Sequence, residues 1–108
     1  MKTRFFAYKD GQFMLSKETI QIVEGEDIDR AWKDAGYKRF ISYPDQTDLP
    51  ILEIWRLEEE TKALPLFLAN LEIDGYGHEV QIDTLPDLMA FCREVQAYVS
   101  ITAEVRCD

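Results

Sequence analysis

The chain has 108 residues, 46% of them apolar and 31% charged, with a formal net charge of −9. That length supports one hydrophobic core and excludes two, because domains commonly run to about 100–150 residues; residues 1–108 therefore read as a single domain. No apolar run approaches the roughly 18 residues of a membrane span, and the opening MKTRFFAYKDGQF lacks the apolar stretch and small-residue cleavage site of a secretory leader, so the chain reads as soluble and cytoplasmic.

The charge is regional. Residues 1–40 hold eight Lys or Arg against seven Asp or Glu, whereas the remainder holds four against fourteen. A field of that sign repels phosphate backbones, which argues against nucleic acid as a partner.

In chain order, Asp10-Gly11 sits between two aromatic-rich runs, and this dipeptide suits a type I′ hairpin turn because both central residues need positive φ. That register sets Tyr8 opposite Phe13 and Phe6 opposite Leu15. The β-branched ETIQIVEG then predicts a third strand. Helical spacing begins at Asp27, an N-cap candidate, with Asp29 in the first turn, Ile28, Ala31, Trp32 and Ala35 on one face, and Gly36 at the stop. YKRFISY reads as extended, followed by turn chemistry in PDQTDLP.

Two strands flank the acidic loop Glu58 to Lys62. The second, from Leu64, is apolar on both faces at its start and predicts an interior strand, with pairing beginning just after Pro65, which has no amide donor. A hairpin follows. With Gly75 and Tyr76 as turn residues, Ile73 faces His78, Leu71 faces Val80, and Glu72 faces Glu79. Thr84 caps a second helix with Pro86 and Asp87 in its first turn, and Leu85, Leu88, Met89, Cys92 and Val95 form its apolar stripe. YVSITAEV alternates again and predicts a last strand.

These elements predict an α+β domain: an antiparallel-rich sheet of six or seven strands, with two amphipathic helices, about 27–35 and 84–97, packed on one face. The core joins Phe6, Trp32, Leu71, Val80, Leu88, Met89, Cys92 and Val95. The opposite face then exposes Leu64, Leu66 and Trp55, a surplus of apolar surface that points to a partner or a second subunit and hence to a homodimer.

The chemistry-bearing residues are few. His78, the one histidine, could serve as a general base with Tyr76 or Glu79 nearby, but at the rim of an apolar face it reads as a semi-exposed structural residue. Glu72, Asp74 and Glu79 gather carboxylates as a metal site would, without any ion-binding loop spacing. Cys92 lies on a buried stripe and Cys107 by the C-terminus, and neither has zinc or disulfide spacing. Pro44-Asp45 with Glu60-Thr61-Lys62 fits a short nuclease pattern that arises readily by chance, in a charge field wrong for DNA. No catalytic residue, metal ligand or cofactor is assigned. An enzyme using His78, or a module for a small ligand or metal, is the alternative.

Residues 45–87 hold eleven acidic side chains against Arg56 and Lys62, which equals the whole net charge. The sequence thus predicts a small acidic binding protein of inhibitor, immunity or adaptor type that docks on a basic protein surface. Its contacts would be Trp55, Glu58, Glu59, Glu60, Glu72, Asp74, Tyr76, His78 and Glu79, with aromatic anchors giving the desolvated contact that charge alone does not.

Overall fold

The computed structural model describes residues 3–23, 26–43, 51–73 and 76–106, with the side chains of 73, 76 and 97–106 outside the description. Six strands, β1 (Thr3–Lys9), β2 (Gln12–Leu15), β3 (Tyr37–Tyr43), β4 (Leu52–Leu57), β5 (Phe67–Ile73) and β6 (Tyr76–Ile82), and two helices, α1 (Ile28–Asp34) and α2 (Leu85–Arg106), make an α+β fold. The sheet runs β2-β1-β6-β5-β4-β3. Every pairing is antiparallel except β1 with β6, which is parallel.

The first hairpin follows from its turn. Asp10 (φ 53°) and Gly11 (φ 76°) both take positive φ, and Tyr8 pairs with Phe13 and Phe6 with Leu15. The chain must then travel from β2, at one edge of the sheet, to β3, at the other. Residues 16–23, 26 and 27 and α1 lie on that crossover. It is pinned over β6 and β1 by Ser16 Oγ donating to Gln81 Oε1 (3.2 Å), Gln81 Nε2 donating to the Lys17 carbonyl (2.7 Å) and Ser16 N–H donating to the Phe5 carbonyl (2.9 Å).

The third strand predicted in ETIQIVEG is therefore corrected: residues 17–23 form no strand. A segment that spans the sheet cannot also pair along its edge. Ile20 instead packs into the core under α1. That helix starts as its sequence dictates, with Asp27 accepting from the Asp29 amide and Gly36 at φ 101° beyond the last turn.

The helices lie on opposite faces, which corrects the one-face arrangement. Side chains alternate along a strand, and the core divides accordingly. Leu52 and Ile54 of β4 join Phe67, Ala69, Leu71, Val80 and Ile82 beneath Leu88, Phe91 and Val95 of α2. Their neighbours Trp55 and Leu57 join Leu68 and Tyr37 beneath Trp32 of α1. Trp32 and Trp55 meet edge to face, ring centroids 5.9 Å apart. Trp55 is thus covered by the crossover helix and is not surplus surface; Leu64 and Leu66, half-buried, pack against the same cluster.

Three further expectations change. In the second hairpin Ile73 pairs with Tyr76 and Leu71 with His78, a slide of two residues that keeps every side chain on its face and sets Glu79 opposite Asn70 rather than Glu72. The predicted last strand is helix, since α2 continues to Arg106 with no Gly or Pro to stop it. The stripe of α2 is also rotated. Leu88, Phe91 and Val95 are buried, Cys92 is half-buried and Met89 is 54% exposed, because Phe91 packs edge-on to Tyr8 and Phe13 and turns the helix toward β1 and β2.

Candidate functional site

The crossover face carries an unusual row. Glu79 lies opposite Phe5 of β1 and Asn70 of β5, Asn70 lies opposite Glu53 of β4, and Glu53 lies opposite Ser42 of β3. Opposed residues point to the same face, so one line of side chains runs Phe5, Glu79, Asn70, Glu53, Ser42 across five strands. Its two carboxyls are both buried, Glu79 completely and Glu53 to 7% exposure.

They are stabilised differently. Glu53 accepts from Trp55 Nε1 at 3.0 Å and has the Arg39 guanidinium 3.7 Å away. Burial pushes its carboxyl upward while the Trp55 hydrogen bond and Arg39 pull it back. Arg39 also lies 5.2 Å over the Trp55 ring and pairs with Asp29 at 2.8 Å, which holds α1 against β3. Glu79 has no such support. Neither of its oxygens has a hydrogen-bond partner, and burial, with repulsion from Glu18, pushes its carboxyl up to about 7.

Buried polar groups are nearly always hydrogen-bonded. The described residues that break this rule, Thr19 Oγ1, Trp32 Nε1 and both oxygens of Glu79, belong to the crossover, α1 and β6, all on this face. Beside Glu79 lies a cleft of about 690 Å³ lined by Thr3, Phe5, Glu18, Ile22, Val23, Glu26, Asp27, Ile28, Asn70 and Gly77. Phe5 and Asn70, which line the cleft, flank Glu79 across the strands, and Gly77 precedes it by two on the same face, while Glu79 itself is fully buried and not part of the lining. The charges in that lining are all negative.

The rim carboxylates are held in place. Glu18 accepts from the Ile22 amide (3.0 Å), Glu26 from the Val23 amide (3.0 Å) and Asp27 from the Asp29 amide (3.0 Å). Each bond uses one carboxylate oxygen. On the other side of α1 a cleft of about 700 Å³ holds Arg30, Lys33, Lys38 and Arg39 with Asp27, Asp29 and Glu58, so the helix divides an acidic cleft from a mixed one.

Among the described residues, those read from sequence as a docking set are spread over different parts of the sheet. Glu58, Glu59 and Glu60 are exposed beyond the end of β4, where Arg56 pairs with Phe67. Glu72 lies at the other end of the sheet, since Leu52 pairs with Leu71. Trp55 and Glu79 are buried. Asp74 and the Tyr76 side chain lie outside the described residues, as do Pro44 and Asp45.

His78 points to the α2 face, away from Glu79. Its ring stacks on Phe6 (5.7 Å between centroids, 16° between planes) and Nδ1 is 3.3 Å from the Leu71 carbonyl. Among the described residues no three His, Cys, Asp or Glu side chains gather as a metal centre. Comparison with protein-family models, curated proteins and solved structures finds no match.

Sequence reasoning missed Glu18, Glu26, Asp27, Thr3, Phe5 and Asn70. One signal was present: Asn70 interrupts LPLFLANLEI, a run otherwise apolar on both faces before Glu72. A polar residue in the middle of an interior strand marks a place where the covering layer is not apolar.

Proposed function

We propose that this chain is a small acidic, non-catalytic binding protein whose working surface is the crossover face and whose partner is a basic protein. The observation that carries the reading is the cleft on that face, whose charged lining residues, Glu18, Glu26 and Asp27, are all acidic, beside the buried and unpartnered Glu79 carboxyl. A carboxylate left in that state destabilises the free protein. The rim charges would also speed encounter with a positive surface. Cytoplasmic localisation belongs to the same proposal; among the described residues no helix is long and apolar enough to cross a membrane.

Glu18→Gln, Glu26→Gln and Asp27→Asn remove charge while keeping the acceptor oxygens that shape the crossover. Affinity purification from cell extract at low salt with wild type, with this triple variant and with Glu58, Glu59 and Glu60 all changed to Lys tests the reading. Proteins held by the wild type should be lost by the first variant and kept by the second. Equal recovery by all three baits would sink it.

Self-association is a second reading with its own support. Among the described residues β3 is an edge strand, and Phe40, Ile41 and Tyr43 on it are 53%, 40% and 39% exposed. Ile41 and Tyr43 line a groove of about 360 Å³ with Leu52, Ile54 and Cys92, and such edges invite pairing with a second chain.

A further inference from the structure

We infer that β3 pairs antiparallel with β3 of a second copy of this chain, about a two-fold axis that passes between Phe40 and Ile41. Lys38 then stands opposite Tyr43 of the other copy, Arg39 opposite Ser42, and Phe40 opposite Ile41. The inference rests on the self-association reading and gives it one register. A β-bulge carries it. Phe40 is the extra residue where the pairing of β3 with β4 shifts between Arg39 and Ile41, and such an insertion re-aims the side chains beyond it. Before the bulge, Tyr37 is buried with Trp32 of α1, and Arg39 reaches Trp55 and Glu53, so both face the crossover and Lys38 between them faces α2. Beyond it the parity reverses. Ile41 and Tyr43 line the groove with Cys92 and Val95 of α2, while Ser42 lies opposite Glu53. Phe40 itself meets Phe67 of the α2 core, ring centroids 6.1 Å apart.

Opposed residues of paired strands share a face. An axis through Phe40 would set Lys38 against Ser42 and Arg39 against Ile41, each pair facing opposite ways. An axis through Ile41 would set Arg39 against Tyr43 and Phe40 against Ser42, with the same fault. The axis between Phe40 and Ile41 matches every pair: Lys38 with Tyr43 and Phe40 with Ile41 on the α2 face, and Arg39 with Ser42 on the crossover face. The main chain gives the same register. The Gly36 carbonyl accepts from the Glu58 amide (3.0 Å) and the Tyr43 carbonyl from the Ile51 amide (2.8 Å), so both turn toward β4. Counted by alternation from these two ends, Arg39 and Ser42 turn their amides and carbonyls away from β4. The same axis sets those two opposite each other, twice, as hydrogen-bonded pairs.

A second copy is the occupant because this edge matches itself. The chain has 21 acidic residues and β3 has none of them, so no carboxylate of the strand meets another across the axis. Lys38 opposes Tyr43 and Arg39 opposes Ser42, which keeps like charges apart, and Arg39 is already paired with Asp29 and Glu53. Exposed Phe40, Ile41 and Tyr43 are covered by Ile41, Phe40 and Lys38 of the other copy, whose lysine stem suits an aromatic face. Pairing β3 with β2 of the next copy would leave the same two edges open and grow without end, whereas β3 with β3 closes at two chains.

The test uses the whole chain with Cys92→Ala and Cys107→Ser as background. Lys38→Cys and Tyr43→Cys are made separately and mixed under mild oxidation, beside a mixture of Lys38→Cys with Ser42→Cys. Directly opposed Cα atoms of paired strands lie within reach of a disulfide, whereas the two copies of residue 38, or of residue 43, stand roughly 15 Å apart in this register. The first mixture should give a covalent dimer on a denaturing gel. Lys38→Cys alone, Tyr43→Cys alone and the second mixture should run as single chains. In the unmodified chain the Arg39 and Ser42 amides should exchange hydrogen at least about tenfold more slowly at high micromolar concentration than in dilute solution. A doubled mass by sedimentation equilibrium without that protection, without the first link, or with the second mixture linked would overturn this register and leave self-association standing. A single-chain mass for the unmodified protein would overturn both.

Discussion

Glu79 and Asn70 stand directly opposite each other on β6 and β5, a carboxyl and an amide side by side in the interior of a six-stranded sheet. Glu79 has no hydrogen-bond partner, and its carboxyl is pushed from a usual value of 4.5 to about 7, chiefly by burial. The raised value favours the protonated form in the fold. Stability is therefore full below about pH 4.5 and falls as pH rises through 7, by about 3 kcal/mol for a shift of this size. Glu79→Gln removes that loss. Urea denaturation should show the variant more stable than wild type at pH 8 by up to about 3 kcal/mol and nearly equal to it at pH 4.5.

The rotated stripe of α2 gives a second expectation. Leu88 is 3% exposed and Met89, its neighbour, 54%. Leu88→Ala should cost about 2–5 kcal/mol, as deletions in a packed core do, and Met89→Ala about 0.5 kcal/mol or less. Comparable losses would place Met89 in the core, as the sequence pattern alone suggests.

That contrast shows how far the sequence is legible. Local chemistry was sufficient where one or two residues decide the geometry: Asp10-Gly11 for the first turn, Asp27 and Gly36 for the ends of α1, Pro65 for the start of β5, Thr84 for α2. It failed where a choice depends on the other side of the molecule. Nothing within residues 17–23 says that this β-branched segment must cross the sheet, and the two-residue slide of β5 on β6 preserves every alternation. The candidate site depends on both. Glu18 meets Glu79 only because of the crossover, and Glu79 faces Asn70 only in the slid register.

Glu53 offers a third test through its indole partner. Glu53→Ala leaves the buried Trp55 Nε1 without its acceptor and frees Arg39 from one of its two carboxylates. The cost should be about 1–3 kcal/mol, mostly the unsatisfied indole N–H. Glu53→Gln retains an acceptor oxygen and should lose less. Equal losses measured by chemical denaturation would mean that charge, not the hydrogen bond, stabilises the pair.

The edge strand β3 makes a prediction about mass. Sedimentation equilibrium at high micromolar concentration should give twice the 12.6 kDa of one chain, and Ile41→Lys, which places a charge on the edge, should return the single-chain mass. A 12.6 kDa wild type would end the self-association reading.

The most direct measurement of the central claim, that Glu79 is a buried carboxyl without a partner, is its ¹³C carboxyl shift followed against pH. The account predicts a midpoint near 7, as burial requires. A midpoint near 4.5 would contradict it.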